Sequence, residues 1–140
     1  MNREESGFRE VDHTADVEIE VWGTDKTSLF EKAAQGMYHL SHIREKEHTP
    51  ETAAHSFQLN ERDLESLLVA FLSELLFYLE TEQLKFEKFT LEFEEDHSLR
   101  AQLEGFQIAG LDRDIKAVTF HELDIKRTGT GWIVNVVFDV

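Results

Sequence analysis

The stretch "NERDLESLLVAFLSELLFYLE", residues 60–80, constrains the fold more than any other part of the chain. Asn60 suits an N-cap, Glu61 and Asp63 put negative charge on a first helical turn, and Leu64, Leu67, Leu68, Phe71, Leu72, Leu75 and Leu79 recur with helical period. Val69, Phe77 and Tyr78 widen that stripe until the helix is nearly covered by apolar side chains. Such a helix has to be buried on most of its surface, and the remaining sequence must supply the walls.

Those walls read mostly as strands. Val17, Ile19 and Val21 alternate with Glu18 and Glu20 and stop at Gly23, which predicts a strand with one buried and one acidic face. Thr24 and Asp25 can cap a first helix carrying Leu29, Ala33, Met37 and Leu40, fading near His42 to Arg44. A charged loop around Pro50 leads to "AAHSFQLN", a short and weakly alternating strand. After the long helix, "KFTLEFEE", "SLRAQLEGF", "IKAVTFHELDIK" and "GWIVNVVFDV" all alternate, with "EEDHS" and "RTGTG" supplying turn residues. Both faces of the last strand are largely apolar, so it belongs in the middle of a sheet. The order β-α-β-α-β-β-β-β predicts an α+β fold, a two-layer sandwich in which a mainly antiparallel sheet packs against two helices. With one proline and no internal repeat there is no place for a linker, and residues 1–140 are expected to form a single domain.

Composition narrows the chemistry. The absence of cysteine excludes disulfides, thiolate zinc sites, iron–sulfur clusters and cysteine nucleophiles, so any metal is held by oxygen or imidazole. A formal charge of -15 repels free nucleic acid, and the lysines and arginines are scattered singly rather than gathered into a phosphate-binding stripe. Solubility alone accounts for such acidity; a basic protein partner is the sharper reading. The charged start "MNREESGFRE" and the lack of a long unbroken apolar run predict a soluble, cytoplasmic protein with no membrane contact. No Walker-type phosphate loop and no GxSxG serine elbow occurs.

Two acidic segments remain as candidates. If residues 12–16 are extended, Asp12, Thr14 and Asp16 share one side and offer oxygens to a hard cation, although caps and turn residues flanking a strand have the same composition. At the other end, Asp139 and a carboxylate on Val140 would crowd two negative charges that a cation or lysine could relieve, or that solvent could simply wash. His39 and His42, three apart on the first helix, are a weak zinc pair. His13 and His121 sit in strand contexts and suit structural hydrogen bonding or the orienting of a carboxylate. In "DRDIKAVTFHELDIK", Lys116, Val118, Phe120 and Glu122 share one face, with Lys116 free either to bridge carboxylates or to be solvated.

Taken together and in this order, "DHTADVEIEVWG", "LFEKAAQGMYHL", "DLESLLVAFLSELLFYLE", "DIKAVTFHELDIK" and the terminal "GWIVNVVFDV" closely resemble the archease family over nearly the whole chain. The resemblance implies an accessory protein rather than an enzyme, one that activates the RtcB-type RNA ligase in tRNA splicing and RNA repair by promoting guanylylation of the ligase and its multiple turnover. It implies a metal site built from Asp16, Asp139 and Val140, the last through its carboxylate or backbone oxygen, supported by Asp12 and His13. Lys116 matches the family's lysine and stands as a partner contact. The cofactor implied is a divalent cation, with calcium expected in a crystal and magnesium or manganese as alternatives. The RtcB-type ligase is the expected partner, with no direct stable nucleic-acid binding and a monomer as the expected state. The sequence departs from the family where tyrosine is common and Phe120 stands here, and "EGFQIAGLDRD" lacks the histidine or basic residues often found before the lysine. A chaperone-like modulator and a small metal-dependent hydrolase are the rival readings, the second needing a pocket and a base that the sequence does not mark.

Overall fold

The computed structural model describes residues 5–11, 16–48 and 51–140. Strands β1 (Gly7–Val11) and β2 (Val17–Gly23) precede helix α1 (Lys26–Leu40). A two-residue β3 (Ile43–Arg44), the long β4 (Thr52–Asn60), helix α2 (Leu64–Glu82) and the hairpin β5 (Leu84–Glu94) and β6 (Ser98–Gln107) follow. The chain closes with short β7 (Gly110–Leu111), β8 (Ala117–Val118) and β9 (Lys126–Arg127), then β10 (Trp132–Asp139). The fold is α+β, with two helices and antiparallel pairing throughout.

The strands divide between two main sheets. One has the order β1-β2-β10-β8, with β9 also on β10; the other is β4-β6-β5, and β3 pairs with β7. Helix α1 packs on β1, β2 and β10 and also touches β5, while α2 packs on β4, β5, β6 and β8, so each helix is walled by both sheets. That arrangement answers the apolar excess of α2: Leu67, Leu68, Phe71, Leu72 and Leu75 are fully buried in one cluster with Ile19, Val21, Phe86, Leu103 and Phe138. Removing each such side chain from water contributes about 1.5–3 kcal/mol. The coverage is not complete, because Phe77 remains 55% exposed.

Local chemistry sets the element ends. Asp25 caps α1 as expected, accepting from the Ser28 N–H at 2.7 Å while the Ser28 hydroxyl accepts from the Asp25 N–H at 3.2 Å. The helix stops at Leu40, before the His42 to Arg44 zone, with Ser41 as C-cap. For α2 the cap is Asp63, whose carboxylate accepts from the Ser66 N–H at 2.7 Å. The expected cap, Asn60, is the last residue of β4, because its backbone is held in the ladder opposite Ser98.

The largest departure lies in "IKAVTFHELDIK". Its alternation predicts one strand, but only Ala117–Val118 and Lys126–Arg127 lie on β10, and the residues between swing out through a turn with Glu122 at φ +50°. The Leu123 N–H donates to the Phe120 carbonyl there, and the Glu65 carboxylate of α2 accepts from the Ile125 N–H at 3.0 Å, so a helix side chain replaces the ladder. β10 itself is interior, flanked by β2 on one side and by β8 and β9 on the other, as its two apolar faces require.

Candidate functional site

The register between β2 and β10 decides which acids meet. Val17 pairs with Phe138 and Ile19 with Val136, and these side chains point into the core. Asp16 and Asp139 each lie one residue past that last pair, Val17 with Phe138, and so come to the same end of the two strands. Two carboxylates brought to one end of a sheet repel unless something positive lies between them. Further along the same face, the Asn135 amide donates to Glu18 at 2.7 Å and Arg9 pairs with Glu20 at 3.1 Å, so those two acids are engaged.

On its other side, β10 fixes Lys116. Asp139 pairs with Ala117, and the Asp139 carbonyl accepts the Lys116 N–H at 2.7 Å, which places the exposed lysine against the last residues of β10. Val140 is 39% exposed at this end. Three separated parts of the sequence, residue 16, residues 116–117 and residues 139–140, thus converge at one end of a sheet.

The structure does not bring every candidate together. Asp12, His13 and Thr14 lie outside the described residues, as does Pro50. Among the described residues no three His, Asp or Glu side chains gather closely enough to hold a metal. Asp16, Asp139 and the main-chain oxygens of Val140 are the class of donor that calcium, magnesium or manganese take, and they supply part of such a cation's shell. His39 and His42 do not share a helix face, since α1 has already ended and His42 takes a left-handed backbone at φ +48°. His39 instead packs against the Phe8 ring at 5.6 Å. His121 is exposed, its N–H held by the Thr119 hydroxyl at 3.2 Å. Phe120, adjacent, is 56% exposed.

Arg113 is one residue that sequence reasoning passed over. Its N–H donates to the Ser41 carbonyl at the end of α1, and its guanidinium lies 3.7 Å from Glu10 of β1. Three residues before Lys116, it ties the approach to the site onto both a helix end and the first strand. A single arginine between aspartates carries no periodicity, so nothing in the sequence singled it out.

Fold and site together define a small antiparallel α+β protein that gathers acidic side chains and one lysine at the end of a sheet. The chain belongs to the Archease protein family, whose sequence profile matches residues 8–140. It is 35% identical over 148 residues to the protein archease of Methanosarcina barkeri, with 100% of both chains covered. The protein archease of Archaeoglobus fulgidus is 30% identical over 141 residues, covering 95% of this chain and 98% of the relative. Among solved structures, Methanobacterium thermoautotrophicum protein 1598 superposes with a TM-score of 0.70 at 30% identity, covering 96% of this chain and 99% of that one. A Thermotoga maritima archease, described as a possible chaperone, gives a TM-score of 0.71 at 21% identity over 94% and 96% of the chains, a likeness in fold alone. Among the described residues no helix is long and apolar enough to cross a membrane.

Proposed function

We propose that this chain is an accessory protein of an RtcB-type RNA ligase in the cytoplasm, acting in tRNA splicing and RNA repair by promoting ligase guanylylation and repeated turnover. The observation that supports the reading is the β2–β10 pairing, which ends at Val17 with Phe138 and so brings Asp16 and Asp139 to one end of the sheet, in a chain of the Archease family. Asp16, Asp139 and a main-chain oxygen of Val140 would hold a divalent cation, calcium in a crystal, with magnesium or manganese as alternatives. When bound, that cation would offset the negative charge of the two carboxylates and supply positive charge at the tip of the sheet. Asp12 and His13 would support the ligands. Lys116, held beside Asp139 through its own N–H, would contact the ligase.

A formal charge of -15 steers such a protein toward the basic surface of an RNA-binding enzyme and away from RNA itself. The protein performs no bond chemistry in this reading and works as a monomer. Sub-stoichiometric amounts should raise the multiple-turnover rate of a cognate RtcB ligase. Asp16→Ala and Asp139→Ala should each abolish that stimulation with the fold intact, and stimulation surviving both changes would refute the site.

A further inference from the structure

Among the described residues β4 is an edge strand without the usual protection. In the sheet order β4-β6-β5 it pairs with β6 alone among the described residues, through an unbroken register from Thr52–Phe106 to Asn60–Ser98. Edge strands are commonly blunted by lysine, proline, bulges or inward charges. The nine residues "TAAHSFQLN" contain no charged acid or base other than His55, no proline and no bulge, in a chain of which 31% is charged.

The direction of its free backbone groups follows from one hydrogen bond. The Glu61 N–H donates to the His97 carbonyl, so Glu61 and His97 form a hydrogen-bonded pair in the continued register. Such pairs recur at every second residue, which assigns Leu59, Phe57, His55 and Ala53 to the β6 ladder. Ala54, Ser56 and Gln58 therefore turn their N–H and C=O groups outward along the open edge. An aromatic row starts from this strand: His55 packs on Tyr78 of α2 at 4.3 Å, Tyr78 meets Phe77 at 5.6 Å, and Phe77 is exposed.

Charge selects the occupant. Exposed Glu51 and Glu61 bracket the strand, and Glu82 lies 3.5 Å from the His55 ring. A second copy pairing antiparallel about Ser56 would set Glu51 opposite Glu61 at both ends, adding like-charge contacts to two chains that already repel. We infer that β4 receives an extended segment of a partner protein as a fourth strand, a segment uncharged in its middle and basic at its ends. Main-chain bonds along the edge supply affinity, and the bracketing glutamates supply polarity and register. This edge belongs to the other sheet from Asp16 and Asp139, and the inference stands apart from the ligase reading.

The probe is a synthetic peptide of alternating threonine and valine, as long as β4 and ended by lysine pairs, titrated into the labelled full chain and followed by NMR. The amides of Ala54, Ser56 and Gln58 should shift and become protected from exchange while those of His55 and Phe57 change little, and binding should weaken as salt rises. Ser56→Pro removes an outward N–H and leaves the β6 ladder whole, so it should fold and bind about tenfold more weakly. Glu51→Lys with Glu61→Lys, a change of two exposed side chains only, should weaken binding by a similar factor and flatten its salt dependence. Absence of peptide binding, protection of the odd-numbered amides instead, or undiminished binding by the double variant would each overturn the inference. So would sedimentation showing that the chain alone dimerises through this edge. Ligase stimulation, measured separately, tests the metal end and is unaffected by any of these outcomes.

Discussion

Tyr38→Phe probes how α1 stabilises an irregular strand, and its effect should shrink as pH rises above 10. The β5–β6 register slips between Phe86 and Lys88, and the Phe86 N–H lies outside the ladder. It donates instead to the Tyr38 hydroxyl oxygen at 3.2 Å, in a buried setting where the tyrosine is 3% exposed. Removing the hydroxyl leaves a buried backbone N–H unpaired, which costs about 1–3 kcal/mol. For a chain of this size that corresponds to a fall in Tm of roughly 3–10 °C at neutral pH. Burial pushes the Tyr38 phenol well above its ordinary value of 10.0, outweighing the Phe86 N–H, which by itself favours the phenolate. The folded state therefore keeps a proton that the unfolded chain releases. The stabilisation is complete below pH 10 and is lost as pH rises toward the raised folded value, at about 1.4 kcal/mol per pH unit. Phenylalanine at this position lacks that titration. Urea denaturation of both proteins across pH 7–11.5 should show the variant less stable at first and the gap narrowing by about 1.4 kcal/mol per pH unit above pH 10. The other tyrosine, Tyr78, is present in both proteins and cancels. A stability difference independent of pH would refute the reasoning, because it would mean that the phenol ionises as freely folded as unfolded.

Gly105→Ala should be severely destabilising, since a Cβ there would lie 2.1 Å from the Lys85 carbonyl oxygen at the bulge, and neither strand backbone can retreat cheaply; thermal melts check this. Asp63→Ala should cost about 1 kcal/mol through loss of the α2 cap. The Ser66 N–H holds the Asp63 carboxyl below its ordinary 3.8, so that contribution is present above pH 3.8 and fades as pH falls further, and acid unfolding curves of the two proteins should merge. Phe71→Ala, emptying a fully buried site between Phe30, Phe57 and Phe89, should cost about 3–5 kcal/mol by urea denaturation. Asp16→Ala and Asp139→Ala should change Tm by little, and calcium titration by calorimetry should show binding to the parent and loss in both variants; equal binding by all three would remove these residues from the site.

Much of the architecture is legible in local pattern. The Leu-rich stripe specifies α2, the Val-Glu alternation specifies β2, and the doubly apolar terminal strand specifies an interior place for β10. β1 escapes notice because "GFREV" has no clean alternation: Glu10 and Phe8 share its helix-facing side. The two-residue strands β3 and β7 exist only through their contact with each other, which is why no local pattern marks them. The broken strand after Lys116 shows the opposite failure, a clear alternation overridden when Glu65 of α2 takes the Ile125 N–H.

By itself, the sequence determined the two helices, the antiparallel α+β character, the apolar faces and the acid-bearing segments around residues 16 and 139, because each rests on a period of 2 or 3.6 that neighbouring residues express without help. Only the tertiary structure decided that the strands split between two sheets, that residues 16, 116 and 139 come to one end of one of them, and that β4 pairs on one side alone among the described residues. Those outcomes are pairings between residues as many as 121 positions apart, set by a register in which a slip of one residue would have turned Asp139 toward the core.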